Sequence, residues 1–377
     1  RTLERLIENF DLVEVPYAYV AQLKTKPYRR MFKSTRPEFA RLKVVDKVNG
    51  GTKADAVNAG LNAAVFPYFI NTDVDCILAK DAIFRCVLPL LKQENIIAVS
   101  GAMALSNGCK VEKGQIVEAY PPHAPVPLFQ TLEYMRSFLI GKMGWSAINA
   151  MPNVSGGYGL FNREVVMAAG GYSPDSFAED MDMLIRMVAY CCETKRPYRV
   201  VQIPYTCCWT EGPATLKVLS RQRIRWGRGL IQTFYKHRRL IGNPRYRQLG
   251  MVTLPYLLVF ELTAPLIEFL GMLTLIFLGI TGGVNWGYAL VMFLAIYTFC
   301  ILLSLFLISF DYAIGGSYKK IKSYLWIFLA ALTEPFFYHP MVVFFSLRGY
   351  LNYLTGQKAV WGEMTRKGFS KKESTTK

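Results

Sequence analysis

Histidine is scarce: the 377 residues hold three, His123, His237 and His339. There is no Cys-x-x-Cys pair either, so the usual ligand sets of a zinc site are missing. The eight cysteines do not make a disulfide framework. Cys191–Cys192 and Cys207–Cys208 are sequence neighbours, a geometry that ordinary intrachain bridges avoid, and such usage suits a reducing compartment. No signal peptide or transit signature opens the sequence, which starts at Arg1 rather than at methionine and reads as lacking its natural front. Charge is thin, at 19% of residues, and acid is the poorer side: 27 Asp and Glu face 44 Lys and Arg, for a net +17. Two partners ordinarily explain such an excess, a nucleic acid or an anionic membrane surface.

What is present decides between them. Apolar residues make up 52% of the chain and mean hydropathy is positive. The excess is concentrated from Met251 to Leu347, whereas residues 1–247 read as globular. Basic residues crowd the borders of the apolar region: Lys217 to Arg247 before it, Lys319, Lys320 and Lys322 inside it, and Arg366, Lys367, Lys371 and Lys372 after it. That placement is the signature of cytoplasmic loops and lipid headgroup contact, not of nucleic acid. Three apolar segments, Met251–Ile280, Trp286–Phe310 and Tyr324–Leu347, each reach the ~20 residues needed to cross a bilayer. Pro255 and Pro265 interrupt the first; Glu334, Pro335 and Pro340 interrupt the third. Three full crossings would leave the basic borders on opposite sides, so one proline-broken segment is expected to lie in the interface or re-enter.

Ahead of that region the period alternates. Thr2 to Asn9 carries Leu3, Leu6 and Ile7 on one helical face, and Tyr28 to Pro37 reads as basic and irregular. Leu42–Val48 is a strand ended by Gly50-Gly51, and Ala54–Ala64 is a helix of small residues. The strand at Tyr68–Ile70 stops at Asn71-Thr72-Asp73-Val74-Asp75. Helix Ala79–Lys92, strand Ile96–Met103, helix Gln130–Ile140, helix Phe177–Ala189 and strand Tyr198–Ile203 follow. Alternation of this kind predicts an α/β domain with a largely parallel sheet. Leu216–Leu240 sets large apolar residues at helical spacing in a basic background, as a helix at a water–lipid boundary does.

Three short constellations carry chemistry. Asp73-Val74-Asp75 ends a strand, where open α/β sheets place their ligands, and two carboxylates one residue apart can share a hard divalent cation. Glu179-Asp180-Met181-Asp182 opens a helix; the helix dipole alone accounts for acids there, and a general base is the sharper reading. Gln222-Arg223-Ile224-Arg225-Trp226 joins an amide, two guanidinium groups able to hold a diphosphate, and an aromatic face suited to a sugar ring. Taken singly, each has an ordinary explanation: a solvated turn, a capped helix, a basic interfacial helix.

Their order and spacing, with Ser155-Gly156-Gly157 between the acidic pairs and apolar spans after the arginines, resemble the processive family 2 glycosyltransferases. That group contains the cellulose, chitin, hyaluronan and poly-N-acetylglucosamine synthases. Gly50 to Gly60 resembles its glycine-lysine-alanine segment, Cys208-Trp209-Thr210-Glu211 precedes the basic helix, and Trp361 to Gly368 looks like a bacterial tail. The resemblance implies a GT-A (Rossmann-like) catalytic domain over 1–215 with its first strand missing. A basic interfacial region over 216–248, transmembrane helices over 249–347 and a basic cytoplasmic tail over 348–377 complete the expected order.

It also implies roles. Asp73 and Lys53 would contact the nucleotide-sugar, with Glu179 beside them, and Asp75 would hold Mg²⁺ or Mn²⁺. Asp180 would take the proton of the acceptor hydroxyl. Gln222, Arg225 and Trp226 would hold the diphosphate and the acceptor end. The implied activity is inverting transfer from a UDP-sugar to a growing polysaccharide at the plasma (inner) membrane, on its cytoplasmic face, with translocation. The donor, a glycan or lipid-linked acceptor, and membrane lipid are the implied partners; nucleic acid is not. A single-addition transferase acting on a lipid-linked acceptor and an inactive membrane paralogue are the alternatives. UDP-N-acetylglucosamine and UDP-glucose are the implied donors, with choice between them falling near Ser155–Tyr158 and Cys208–Glu211.

Overall fold

The computed structural model describes residues 2–357. The tail from Trp361 to Gly368 and the basic residues Arg366, Lys367, Lys371 and Lys372 lie outside the described residues. Helix α1 (Thr2–Phe10) leads into a three-stranded antiparallel sheet of β1 (Leu12–Val15), β2 (Tyr28–Ser34) and β3 (Lys43–Lys47). β2 corrects the irregular stretch expected at Tyr28–Pro37. Met31 and Phe32 are buried while Arg29, Arg30 and Lys33 stay toward solvent, so ladder pairing on both sides outweighs the basic composition.

Helix α2 (Lys53–Ala63) starts where Thr52 accepts the Asp55 backbone N–H at 3.3 Å, a side-chain cap that fixes the helix start at Lys53. The second sheet contains β4 (Tyr68–Thr72), β5 (Ile77–Leu78), β6 (Ile96–Leu105), β9 (Tyr158–Asn162) and β10 (Arg199–Thr210), in the order β4-β9-β6-β10-β5. β7 (Lys110–Glu112) and β8 (Gln115–Glu118) form a separate hairpin. The expected largely parallel sheet holds for direction but not for pairing. β4, β6 and β10 run the same way, yet β9 is inserted antiparallel between β4 and β6, and β5 is antiparallel to β10.

Helices cover both faces. On one lie α2, α6 (Arg163–Ala168) and α7 (Glu179–Glu193), packed around Leu61, Phe161, Val165, Met183 and Met187. On the other lie α3 (Ala82–Lys92) and α4 (Pro125–Met135). α4 runs through a π-helical stretch (Arg136–Gly141) into α5 (Lys142–Ala147). Helix α8 (Leu216–His237) follows β10.

Among the described residues, three helices are long and apolar enough to cross a membrane: α9 (Leu249–Thr281), α10 (Trp286–Ala313) and α11 (Ile321–Leu354). The first half of α9 winds in π-helical turns around Pro255 and bends at Thr263, just before Pro265, and the regular helix begins at Ala264. α11 corrects the expected interruption at Glu334, Pro335 and Pro340, since the helix continues through all three. Its polar and aromatic residues pack on the globular part along almost its whole length. Trp326 donates to the Pro122 carbonyl at 3.2 Å, Glu334 pairs with Arg136 at 2.8 Å, and Tyr338 donates to Glu133 at 2.7 Å. A Cβ on Gly349 would stand 2.6 Å from the Ile224 carbonyl of α8, so the two helices meet backbone to backbone. Leu307 and Ile308 of α10 and Tyr324, Ile327, Ala330 and Ala331 of α11 share one core with Leu132, Phe138 and Tyr158. The link between α10 and α11 returns to the same surface, with Ser317 bonded to Thr206 at 2.8 Å and Lys320 donating to Tyr120 at 2.6 Å.

Candidate active site

The sequence motifs meet at the backbone of Gly156. The Lys53 ammonium, in the first turn of α2, pairs with the Asp73 carboxylate and donates to the Gly156 carbonyl. Asn71 donates to the same carbonyl at 3.3 Å. The Gly156 N–H donates to Asp180 Oδ2 at 3.1 Å, while Asp180 Oδ1 accepts the Met181 N–H at 2.8 Å. The Asp73 N–H reaches the Gly157 carbonyl at 3.3 Å. A side chain at 156 would stand 3.6 Å from Glu179 Oε1 and 3.7 Å from both Asp180 Oδ2 and Lys53 Nζ, so a bare backbone leaves these groups facing one opening. Asp73, Lys53, Glu179 and Asp180, far apart in sequence, are thereby brought together at one end of the sheet.

The electrostatics are uneven. Glu179 is 8% exposed, and burial pushes its carboxyl above the ordinary range. The Asp180 charge adds to this, while Arg225 and Lys53 pull the other way. Lys142 at the start of α5 is 6% exposed, with its ammonium 4.5 Å from the centre of the Phe138 ring. Burial lowers it to about 8, against the opposing charge of Asp180. Desolvation is the cause: the ammonium lies in an apolar setting and gains only a distant carboxylate charge.

Donor atoms of Asp73, Asp75 and Cys76 lie within 4.8 Å of one another. The two carboxylates fit a hard divalent cation; a thiol does not belong in its coordination sphere, and the Cys76 thiol is engaged with Cys208 of β10.

α8 closes the other side. Gln222 is 7% exposed and its Oε1 accepts from Gln130 of α4 at 2.8 Å. Arg225 is close enough to Glu179 to oppose its upward shift, and Trp226 is 37% exposed. The helix is pinned to the loop that feeds α7. Gln232 accepts the Phe177 N–H at 2.9 Å and donates to the Asp175 carbonyl at 2.9 Å, and a Cβ on Gly229 would stand 2.8 Å from that of Ala178. Asp182 completes the clamp. It takes Lys236 at 2.7 Å and His237 at 2.8 Å from α8, and Arg186 at 3.0 Å from its own helix. Burial alone would raise the Asp182 carboxyl. The hydrogen bond from His237 and the charges of Arg186 and Lys236 hold it well below the usual range instead.

Sequence reasoning missed Asn71, Lys142 and the Asp182 clamp. Asn71 adjoins the Asp-x-Asp turn and could have been suspected from that. Lys142 is a lone basic residue in a helix and gives no signal before its burial is known.

A family profile described as glycosyl transferase family group 2 matches residues 110–338. A poly-β-1,6-N-acetyl-D-glucosamine synthase from Staphylococcus aureus is 27% identical over 208 residues, 54% of this chain and 45% of that protein. The synthase of the same name from Staphylococcus epidermidis is 28% identical over 188 residues, 50% of this chain and 40% of the relative. The chain therefore spans less than half the length of the curated relatives it matches. A mannosyltransferase from Pyrobaculum calidifontis, solved with GDP-Man and Mn²⁺, is 18% identical. That likeness covers 86% of this chain and 72% of the other at a TM-score of 0.47.

Proposed function

The chain belongs to glycosyl transferase family group 2, and from that premise we propose that it transfers a sugar from a UDP-sugar to the hydroxyl end of a growing polysaccharide, inverting the anomeric centre. The convergence of Lys53, Asp73 and Asp180 on Gly156 carries this reading. The two N–H groups that hold Asp180 aim a fixed carboxylate across the opening from the Asp73 turn. The acceptor oxygen attacks the anomeric carbon, its proton passes to Asp180, and the bond from that carbon to the diphosphate oxygen breaks, releasing UDP. Lys53 and Arg225 offset the charge that gathers on the departing diphosphate, and Trp226 offers its open face to the acceptor sugar. A divalent cation, Mg²⁺ or Mn²⁺, held by Asp75 beside Asp73, supplies further charge neutralisation when bound. Most of the acceleration comes from holding donor and acceptor in line, for which effective molarities of ~10⁵ M or more are attainable. The two relatives are named as poly-β-1,6-N-acetyl-D-glucosamine synthases, and that likeness favours an N-acetylglucosamine polymer as product and the matching UDP-sugar as donor.

The reaction belongs at the cytoplasmic face of the plasma membrane. Helices α9 and α10 are read as a hairpin that crosses and returns, because the residues after α10 come back to Thr206 and Tyr120. Helix α11 is read as lying along the interface. From Trp326 to Gly349 it follows the globular part for roughly 35 Å at about 1.5 Å per residue, which leaves no free ~20-residue stretch for a crossing. The basic helix before α9 and the described end of α11 then fall on one side.

UDP release and product length, measured in membranes holding the full natural chain with UDP-N-acetylglucosamine and Mg²⁺ or Mn²⁺, test the proposal. Asp180→Asn should fold and bind donor while losing ~10²-fold or more of turnover, as loss of a general base does. Wild-type turnover in that variant removes Asp180 from the reaction. Absence of UDP release from the wild-type chain with every UDP-sugar overturns the activity itself.

A further inference from the structure

Arg223 stands within Gln222-Arg223-Ile224-Arg225-Trp226 but has no part in the reading above. It points away from the opening: it is 4% exposed, and its fork closes on Glu133 of α4, with Nη1 to Oε1 and Nη2 to Oε2 both at 2.6 Å. Nη2 also donates to the Tyr338 hydroxyl of α11 at 3.0 Å, and that hydroxyl donates to Glu133 Oε2 at 2.7 Å. The three groups form a closed triangle joining α4, α8 and α11. Glu133 and Tyr338 occupy the in-plane positions around the guanidinium edge, so the flat face remains available. The Trp226 ring lies on that face, 4.3 Å from Cζ.

Trp226 is thus held against the Arg223 guanidinium while 37% of it stays exposed. A tryptophan on an exposed helical position ordinarily samples several rotamers; here a buried cation fixed at three points by Glu133 and Tyr338 selects one. From this geometry we infer that Arg223, Glu133 and Tyr338 are positioning residues for the acceptor: they orient Trp226 as the platform for the terminal sugar, and the third apolar helix takes part through a single phenol. The inference rests on the proposed transfer reaction. It predicts a selective defect, since nothing in the triangle touches Lys53 or Asp73, the residues read as contacting the donor.

The test separates acceptor from donor. Full-length protein in membranes is assayed with UDP-N-acetylglucosamine and a β-1,6-linked N-acetylglucosamine pentasaccharide, and KM is measured for each. Arg223→Lys keeps the charge but loses the planar fork, and Tyr338→Phe removes one hydroxyl. Acceptor KM should rise roughly tenfold in Arg223→Lys, the scale of a partly desolvated cation–π contact, with a smaller rise in Tyr338→Phe. Donor KM should stay within about twofold of wild type in both, because the donor contacts are untouched.

Unchanged acceptor KM in the folded variants overturns the inference, as does an equal loss for donor and acceptor. If Arg223→Lys fails to fold, Tyr338→Phe decides. If the wild-type chain releases no UDP, the proposed reaction fails, and the positioning claim is then read from Trp226 itself. Acrylamide quenching of its fluorescence, taken as the difference from Trp226→Phe, should rise in Tyr338→Phe; unaltered quenching overturns it.

Discussion

Replacing Gly229 with alanine adds one methyl group where α8 meets the chain entering α7. The new carbon would stand 2.8 Å from Ala178 Cβ and 3.0 Å from Ala178 N and the Phe177 carbonyl carbon. Ordinary carbon contacts fall at about 3.5–4.0 Å, so α8 and the Phe177–Ala178 backbone must separate by roughly 1 Å. Overpacking of this kind costs about 1–3 kcal/mol. Alanine returns about 1 kcal/mol through better helix propensity, so the net loss of stability is small, about 0–2 kcal/mol. Turnover should suffer far more, because Ala178 is followed directly by Glu179 and Asp180. A displacement of about 1 Å in a reacting group costs on the order of 10²-fold.

Gly60→Ala is the matched control. It lies in α2, and a Cβ there meets nothing within 4 Å. It should gain up to about 1 kcal/mol and leave turnover unchanged. Thermal unfolding in detergent and UDP release in membranes read the two variants side by side. If Gly229→Ala is both more stable than wild type and fully active, α8 does not set the position of Asp180, and the account of how the site is assembled is wrong.

Two further outcomes are expected. Asp182→Asn removes the buried partner of Lys236, His237 and Arg186 and should destabilise the fold by about 3–5 kcal/mol, the range for breaking a buried pair. Because the folded carboxyl is held below its unfolded value, this contribution is complete above about pH 4–5 and disappears as pH falls further. The gap between the denaturant midpoints of wild type and variant should therefore shrink progressively as pH falls below about 4; a gap that widens there refutes the assignment. In the second, a reporter fused after Gln357 should lie on the same side of the membrane as the catalytic residues, and one inserted between Gly282 and Asn285 on the opposite side. A reporter after Gln357 on the far side would mean that α11 crosses after all.

What could be read from the sequence was whatever is decided within a few residues. α2, β4 with its Asp73 turn, and the acidic start of α7 follow from capping, alternation and the sudden end of an apolar run. Pairing was not legible. After Ser155-Gly156-Gly157 the sequence shows only a return to apolar residues, and the assembled sheet is what makes Tyr158–Asn162 a strand, antiparallel between β4 and β6. The Tyr28–Ser34 strand was hidden because Arg29, Arg30 and Lys33 obscure the two residues, Met31 and Phe32, that it buries.

The apolar helices expose a deeper limit, since hydropathy reports that a face avoids water without reporting what covers it. In α11 the buried residues Tyr324, Ile327, Ala331, Glu334 and Tyr338 recur at spacings of three and four, while Leu325, Leu329, Phe336, Phe337 and Phe344 stay exposed. One stripe meets protein and the other suits lipid, and both are apolar enough to pass for a span. The discriminating residues were the ones that looked like defects. Glu334 reads as an interruption until Arg136 is found opposite it, and Tyr338 as an ordinary aromatic until it closes on Glu133 and Arg223. A carboxylate and a phenol one helical turn apart are costly toward hydrocarbon and harmless toward an arginine-bearing surface. Their spacing is therefore evidence that this stripe faces the catalytic domain, and it ties the same helix to the tryptophan that would hold the acceptor.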